Sequence, residues 1–314
     1  MRFTVFQDSR KGARRVNQDR VAYVYSRDSL LMVLADGMGG HMGGEIAAQI
    51  AVRLFAERFQ QEAKPLIASP FEFLHDTMRR VHVALGTYTR QFSMVESPRT
   101  TCVAVVVQAG YAYWAHVGDS RLYFFRDGEL FAKTKDHSKI QYLIDRGVLS
   151  EENAVHHPER NRIYSCLGGL VEPVVDLSRR TPMRANDIIL LCSDGFWAMV
   201  PPKEIIESFT ITPLLEAAPG LLRIAQDRAG DESDNLSMIV MRWDTETPGP
   251  STITETASLS AGEFQTEIAT TISAADGPPP TPELTEGEIE FAIAEIQQAI
   301  KNFHRERPED KPEE

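Results

Sequence analysis

The stretch that decides the fold is residues 30–51, LLMVLADGMGGHMGGEIAAQIA. Six apolar residues, Leu30 to Ala35, run into a single acid, Asp36. Five glycines follow (Gly37, Gly39, Gly40, Gly43 and Gly44), and then a helical pattern begins. A strand that feeds a glycine turn and then a helix is often a phosphate cradle, because bare backbone N–H groups and a helix N-terminus suit anions. Here the turn opens on a carboxylate, which repels phosphate. A divalent cation between the two removes the conflict. The dinucleotide-binding fingerprint fails, since after Gly37-x-Gly39 the position that requires the third glycine is Met42.

Downstream, Ile46, Ile50 and Leu54 with Ala47, Ala51 and Phe55 make one buried helical stripe. After Pro70, Leu74, Met78, Val81, Leu85 and Tyr88 make another. Upstream, residues 1–25 predict two short strands, and the polar GARRVNQDR (12–20) between them reads, by itself, as a hairpin loop. Residues 100–134 change period. TTCVAVVVQ, AYWAHVG and RLYFFR are β-type runs, with a turn at Gly118-Asp119-Ser120 and a hairpin signal at Asp127-Gly128. The pattern is an antiparallel meander rather than a βαβ repeat. Residues 136–168 are polar and irregular around one helical piece (Ile140 to Arg146) and predict a long loop or a small flap. A buried strand at 187–192, helices over 202–209 and 213–228, and a last strand at 236–243 follow.

The 314-residue chain carries a net charge of −12, unevenly placed. Residues 245–314 hold 15 acids against 4 bases, which leaves the first 244 residues at −1. That balance disfavours nucleic acid as a partner, because phosphate backbones need basic surface. Cys102, Cys166 and Cys192 show neither disulfide nor zinc spacing. With no apolar N-terminal segment and no run approaching about 18 apolar residues, the expectation is a cytoplasmic protein without a membrane span. The expected organisation is a domain over 1–244, a Pro/Ser/Thr-rich linker over 245–281, an amphipathic helix over 282–304 and a disordered acidic tail over 305–314. The helix has a capping box at Thr285 and Glu288 and an apolar stripe of Ile289, Ile293, Ile296, Ile300 and Phe303. It can dock on a partner, on a second copy or on its own domain, and the long linker favours a docking element.

Four acids share one situation. Asp36 follows LLMVLA, Asp194 follows IILLCS, Asp234 precedes LSMIVM, and Asp119 sits in the turn after WAHVG. Carboxylates held at strand ends are poorly solvated and need partners. No matching set of Arg or Lys accompanies them. Magnesium and manganese prefer all-oxygen ligands, whereas zinc would call for His or Cys.

These pieces carry a resemblance. RRVNQD (14–19), ADGMGGH (35–41), TT (100–101), HVGDSRLY (116–123), KDHS (135–138), HHPERN (156–161), LGG (167–169), CSDG (192–195) and DN (234–235) stand in the order found in metal-dependent serine/threonine phosphatases of the protein phosphatase 2C type, in their bacterial form. The ordered set covers residues 1–243 and is specific, though single pieces such as GDSR are not. The resemblance implies an α+β fold, a four-layer α-β-β-α sandwich of two antiparallel sheets flanked by helices. It also implies two Mn²⁺ or Mg²⁺ ions and a weaker third. Asp36 would bridge the pair, with the Gly37 carbonyl, Asp194 and Asp234 as further ligands. Asp119 would hold the third ion with Asp194. Asp19 and Gln18 would orient bound waters, and Arg14 would grip the substrate phosphate. A hydroxide bridging the metals would attack phosphoserine or phosphothreonine in proteins directly, reversing a bacterial kinase. The cysteines agree, since none has an arginine six residues later, as the cysteine-based phosphatases require.

The chain departs from the family pattern in two places. Gln18 stands where many members carry Glu, and Met38 where eukaryotic members carry a histidine that protonates the leaving group. His41 lies near enough to be considered for that role. In the flap, His156, His157, Arg160 and Arg162 can contact phosphopeptide or simply face solvent. A pseudophosphatase, a binding module on the same fold, is the competing class. Retention of Asp36, Asp119, Asp194, Asp234 and Arg14 favours the enzyme, with the catalytic domain expected as a monomer.

Overall fold

The computed structural model describes residues 1–38, 43–150, 153, 157–159, 162–244, 254–256, 259 and 263–269. In chain order the strands and helices are β1 (Arg2–Arg10), β2 (Asp19–Tyr25), β3 (Ser29–Met38), α1 (Gly44–Glu62), α2 (Pro70–Gln91), β4 (Arg99–Thr100), β5 (Cys102–Gln108), β6 (Tyr111–Val117), β7 (Arg121–Arg126) and β8 (Glu129–Lys133). There follow α3 (Lys139–Asp145), β9 (Asp176–Leu177), β10 (Thr181–Pro182), β11 (Ile188–Cys192), α4 (Asp194–Trp197), α5 (Pro202–Ile211), α6 (Leu214–Ala229), β12 (Leu236–Trp243), β13 (Thr254–Glu255) and β14 (Gln265–Ala269). One sheet runs β13-β1-β12-β11-β7-β8 and the other β10-β6-β5-β3-β2-β14, with antiparallel pairing throughout.

Leu30 to Ala35 has no polar position because β3 is buried on both faces. With a side-chain period of two, Leu31, Val33 and Ala35 pack under α1 and α2 with Ile46, Ile50, Phe55, Leu74 and Met78. Leu30, Met32 and Leu34 turn the other way and meet Leu122, Phe124, Ile189 and Ile239 of the facing sheet. The outer face of that sheet (Tyr123, Leu190, Met238) is covered by Ile205, Phe209, Leu221 and Leu222 of α5 and α6. The four-layer α-β-β-α sandwich expected from the resemblance is thus present. The same alternation sends Asp36 to the inter-sheet side of β3, where the apolar slab ends.

Four expectations change. The polar segment 12–20 is not a hairpin loop. β1 and β2 belong to different sheets, so this segment crosses the open end of the sandwich. The meander is interrupted in the same way, since β6 and β7 lie in opposite sheets and Gly118-Asp119-Ser120 is the crossing between them. A strand's periodicity is the same whichever sheet it joins, and only packing against the facing layer separates the two outcomes. β3 does not stop at Asp36 but continues to Met38, held by β4. The stretch read as a linker, 245–281, also contains sheet. β13 pairs with β1, and β14 pairs with the edge of β2. Phe264 stands edge-on to Phe59 of α1 at 6.1 Å, and the N-terminal ammonium donates to Thr256 Oγ1 at 2.7 Å. An open sheet edge is a pairing template, and these short strands occupy it. The helix expected over 282–304 and the tail over 305–314 lie outside the described residues. Among those described, no helix is long and apolar enough to cross a membrane.

Truncation after Asp244 removes β13, β14 and the Phe264 contact but no candidate site residue. We expect a stability loss of about 1–3 kcal/mol, from a few cross-strand pairs and one aromatic contact. Turnover at low denaturant should be unchanged. A urea midpoint equal to that of the full chain would show that these strands do not hold the domain.

Candidate active site

The register of β2 on β3 sets Asp19 directly beside Asp36. Asp19 is buried. Its Oδ2 accepts from Ser193 Oγ at 2.8 Å, and its backbone N–H donates to Asn17 Oδ1 at 3.1 Å. Ser193 Oγ in turn accepts from Ser237 N at 3.0 Å. Ser237 Oγ meets Ser9 Oγ at 2.7 Å, and Asn17 Nδ2 donates to Ser9 Oγ at 2.8 Å. A string of small polar side chains therefore fixes Asp19 from the opposite sheet. Its Oδ1 is buried and has no partner, which is costly for a carboxylate oxygen unless a further donor or cation reaches it.

Asp36 is held through its backbone. Its carbonyl accepts from Thr101 N and Thr100 Oγ1, both at 2.9 Å, and its N–H donates to Thr101 Oγ1 at 3.2 Å. Thr101 Oγ1 meets Ser120 Oγ at 2.6 Å, so the Asp36 strand and the Asp119 turn are joined by two hydroxyls. Gly37 permits a close approach. A Cβ there would lie 2.1 Å from the Gly44 carbonyl oxygen, so only glycine lets α1 begin against the strand. Asp119 is buried, and its carbonyl accepts from Trp197 Nε1 at 2.9 Å. The Arg121 guanidinium lies 3.5 Å from the centre of the Trp197 ring and forks onto Asp136 at 2.9 and 2.7 Å.

Asp194 is the first residue of α4. Asp234 precedes β12, and its Oδ2 accepts from Arg14 Nη2 at 2.6 Å. Asn235 laces the crossing segment to this corner. Its Nδ2 donates to the carbonyls of Lys11 (2.8 Å) and Val16 (3.1 Å), and its Oδ1 accepts from Gln18 N (2.8 Å). Gln18 Nε2 donates to Glu45 Oε2 at 3.2 Å.

Electrostatically the cluster is short of positive charge. Asp36 is pushed well above the usual carboxylate range by burial and then by Asp19, Asp194, Asp119 and Asp234. Asp194 is raised likewise, by burial and then by Asp119, Asp234 and Asp19. Burial and the charge of Asp136 lift Asp119 to about 7, and burial lifts Asp19 to about 6. Arg14 answers Asp234, and its own pKa is raised first by that hydrogen bond; the charge of Arg121 works against the rise at Asp119, and Arg20 feels the charge of Asp19. Arg14 is 60% exposed and Arg121 is already forked onto Asp136, so the five acids are not balanced.

Asp19, Asp36, Asp119, Asp194, Asp234 and Arg14, picked out from the sequence, thus meet in one electrostatically coupled group. Gly37 and Gln18 border it. His41 lies outside the described residues, as do His156 and Arg160. Arg162 is described, and its guanidinium pairs with Glu159 within the flap. Sequence reasoning missed Thr100, Thr101, Ser193 and Asn235 as supports, and Glu45 as the partner of Gln18. Thr100, Thr101, Ser193 and Asn235 stood within the quoted pieces TT, CSDG and DN, but no role was attached to them.

Two facing sheets, helices outside them and acids gathered at one end of the slot are the arrangement of a protein phosphatase. The chain belongs to the protein phosphatase 2C family, whose model (Protein phosphatase 2C) matches residues 7–223. It is 31% identical over 248 residues to the Listeria monocytogenes serine/threonine phosphatase stp, covering 78% of this chain and 97% of that one. The crystal structure of the Mycobacterium tuberculosis serine/threonine phosphatase PstP/Ppp matches with a TM-score of 0.67 at 32% identity, over 78% of this chain and 100% of that one. The catalytic domain of PstP in complex with two manganese ions matches with a TM-score of 0.64 at 31% identity, over 77% of this chain and 100% of that one.

Asp19, Asp36, Asp119 and Asp194 hold their protons more tightly folded than unfolded, where aspartate titrates near about 4. Such groups favour the folded state fully below about pH 4. They lose that contribution as pH rises through their folded values, about 6 for Asp19 and about 7 for Asp119. In chelating buffer the melting temperature should therefore fall from about pH 5 to about pH 8. Asp36→Asn removes one of the repelling charges and should flatten that fall. Equal slopes for parent and variant in a thermal-shift series would contradict this account of the cluster.

Proposed function

We propose that the chain is a metal-dependent phosphatase that removes phosphate from phosphoserine and phosphothreonine in proteins, reversing a bacterial serine/threonine kinase. The observation that carries this reading is the acid cluster itself. Five carboxylates share one end of the inter-sheet slot, Arg14 forms an ion pair with one of them, and Asp19 Oδ1 is buried without a partner. An all-oxygen set with excess negative charge fits Mn²⁺ or Mg²⁺ rather than zinc. The relative that binds two manganese ions supports the same assignment. Among the described residues, no three of these acids bring ligand atoms within 4.8 Å of one another, so water and backbone oxygen would have to complete each ion's shell, as suits Mg²⁺ and Mn²⁺.

On this reading Asp36, the Gly37 carbonyl, Asp194 and Asp234 would hold the pair of ions, and Asp119 with Asp194 would hold a weaker third. Such cations would supply the Lewis acidity that makes water a nucleophile near neutral pH and would offset charge on the phosphoryl oxygens. Asp19 Oδ1 accepts a hydrogen bond from water in the site and so orients it. Gln18, neutral and already donating to Glu45, adds a dipole but no charge. Arg14 sits at the rim with its fork steadied by Asp234, where an incoming phosphate can take up its exposed N–H groups bidentately. The near-neutral body repels an acidic phosphoprotein little.

The test is hydrolysis of a phosphothreonine peptide with Mn²⁺, with and without chelator. Chelator, Asp36→Ala and Asp194→Ala should each abolish turnover. Arg14→Ala should raise KM by about 10- to 100-fold, the worth of a charge-assisted phosphate contact. Unchanged turnover in chelator would sink the metal reading. Full activity in Asp36→Ala would sink the site.

A further inference from the structure

The one set of three possible metal ligands that closes to within 4.8 Å among the described residues lies beside the acid cluster. It is His116, His137 and Asp176. β6 pairs with β9 so that His116 faces Asp176, and the two imidazole centres are 4.6 Å apart. The hydrogen bonds argue against an ion there. His116 Nε2 lies 2.7 Å from the Lys135 carbonyl, so it carries the proton. Gly118 N donates to His137 Nδ1 at 3.2 Å, so that nitrogen keeps its lone pair and Nε2 is the protonated one. His137 Nε2 is buried and makes no hydrogen bond. Its nearest charge is Asp176 Oδ2, at 3.4 Å and out of line for a hydrogen bond. A cation at Nε2 would have to displace that proton and take the acceptor from Gly118.

The arrangement does something else. Residues 135–137 clamp the 116–121 turn at four points. His116 Nε2 donates to Lys135 O, Arg121 forks onto Asp136, His137 N donates to Gly118 O at 2.9 Å, and Gly118 N donates to the His137 ring. Both polar backbone groups of Gly118 are thus held by one residue. Gly118 stands at φ +102, a conformation that suits glycine, and Asp119 comes next. Burial keeps both imidazoles below their ordinary pKa, and so neutral.

We infer that His137 is a positioning residue for Asp119. Its ring, kept in the Nε2–H form beside Asp176, fixes the Gly118 amide and thereby aims the Asp119 carboxylate. The inference rests on the reading of Asp119 as ligand to the weaker third ion. It gives the motifs KDHS and HVGDSR a shared purpose.

Mn²⁺ is titrated calorimetrically into the full chain and into Asp119→Ala, His137→Leu and His137→Asn. Leucine fills the space but leaves the Gly118 N–H without an acceptor, whereas asparagine Oδ1 stands near the lost Nδ1. We expect Asp119→Ala to lose the weakest ion and His137→Leu to weaken it by about 10-fold or more, as loss of an outer partner does. His137→Asn should bind it as the parent does. The cost of His137→Leu to kcat should vanish in the Asp119→Ala background. Parent-like binding of the weak ion by His137→Leu, or an equal kcat cost in both backgrounds, overturns the inference. So does a folded His137→Asn that loses the ion, and this arm decides the matter if the leucine variant does not fold. If Asp119→Ala keeps every ion, the ligand reading of Asp119 fails instead.

Discussion

Asp19 and Asp36 stand side by side on neighbouring strands, at the end of an apolar slab, and they repel each other. Everything at this end of the molecule is arranged around that repulsion. Two sheets must face each other to make the slab, and each sheet needs helices outside it to close its other face. The acids then have nowhere to go but the slot's mouth, and removing them from water costs free energy that the arginines beside them do not return. The site is built so that stability and function pull in opposite directions until positive charge arrives.

Holding repelling groups in place requires supports that cannot themselves titrate. The structure uses hydroxyls and backbone amides. Ser193, Ser237, Ser9 and Asn17 restrain Asp19, while Thr100, Thr101 and Ser120 tie Asp36 to the Asp119 turn. These side chains are short, so little rotamer entropy is lost, and the Ser193–Asp19 bond joins the two sheets while Thr101–Ser120 joins the Asp36 strand to the crossing turn. Where larger groups serve, they too are fully engaged. Trp197 is stacked on Arg121 while it holds the Asp119 carbonyl, and Asn235 uses both ends of its amide.

Much of this was legible in the residues. The apolar run before Asp36 and the helical pattern after the glycines announced a buried strand and a helix, and the structure has both; that Gly37 lets the two approach closely came only from the structure. The acids could be named because carboxylates at the ends of buried strands are rare without a partner. The roles of supports such as Thr101 and Ser193 were not legible, since a serine or threonine at the end of a strand is ordinary until its neighbour across the slot is known. The sheet-forming parts of 254–269 were hidden too. Thr-, Ser- and Gly-rich composition reads as linker, and only an open edge on β1 and β2 turns short pieces of it into strands.

The sequence by itself determined most of the strands and helices, and which carboxylates and which arginine are available for chemistry, because local periodicity, glycine and proline set these. Only the tertiary structure decided which sheet each strand joins. That choice turned two apparent hairpin connections, 12–20 and 118–120, into crossings over the same open end, and brought Arg14, Asp119 and His137 to it. The reason is physical. A β-strand's alternation is the same in either sheet, and its partners are selected by the fit of both buried faces at once, which no single segment contains.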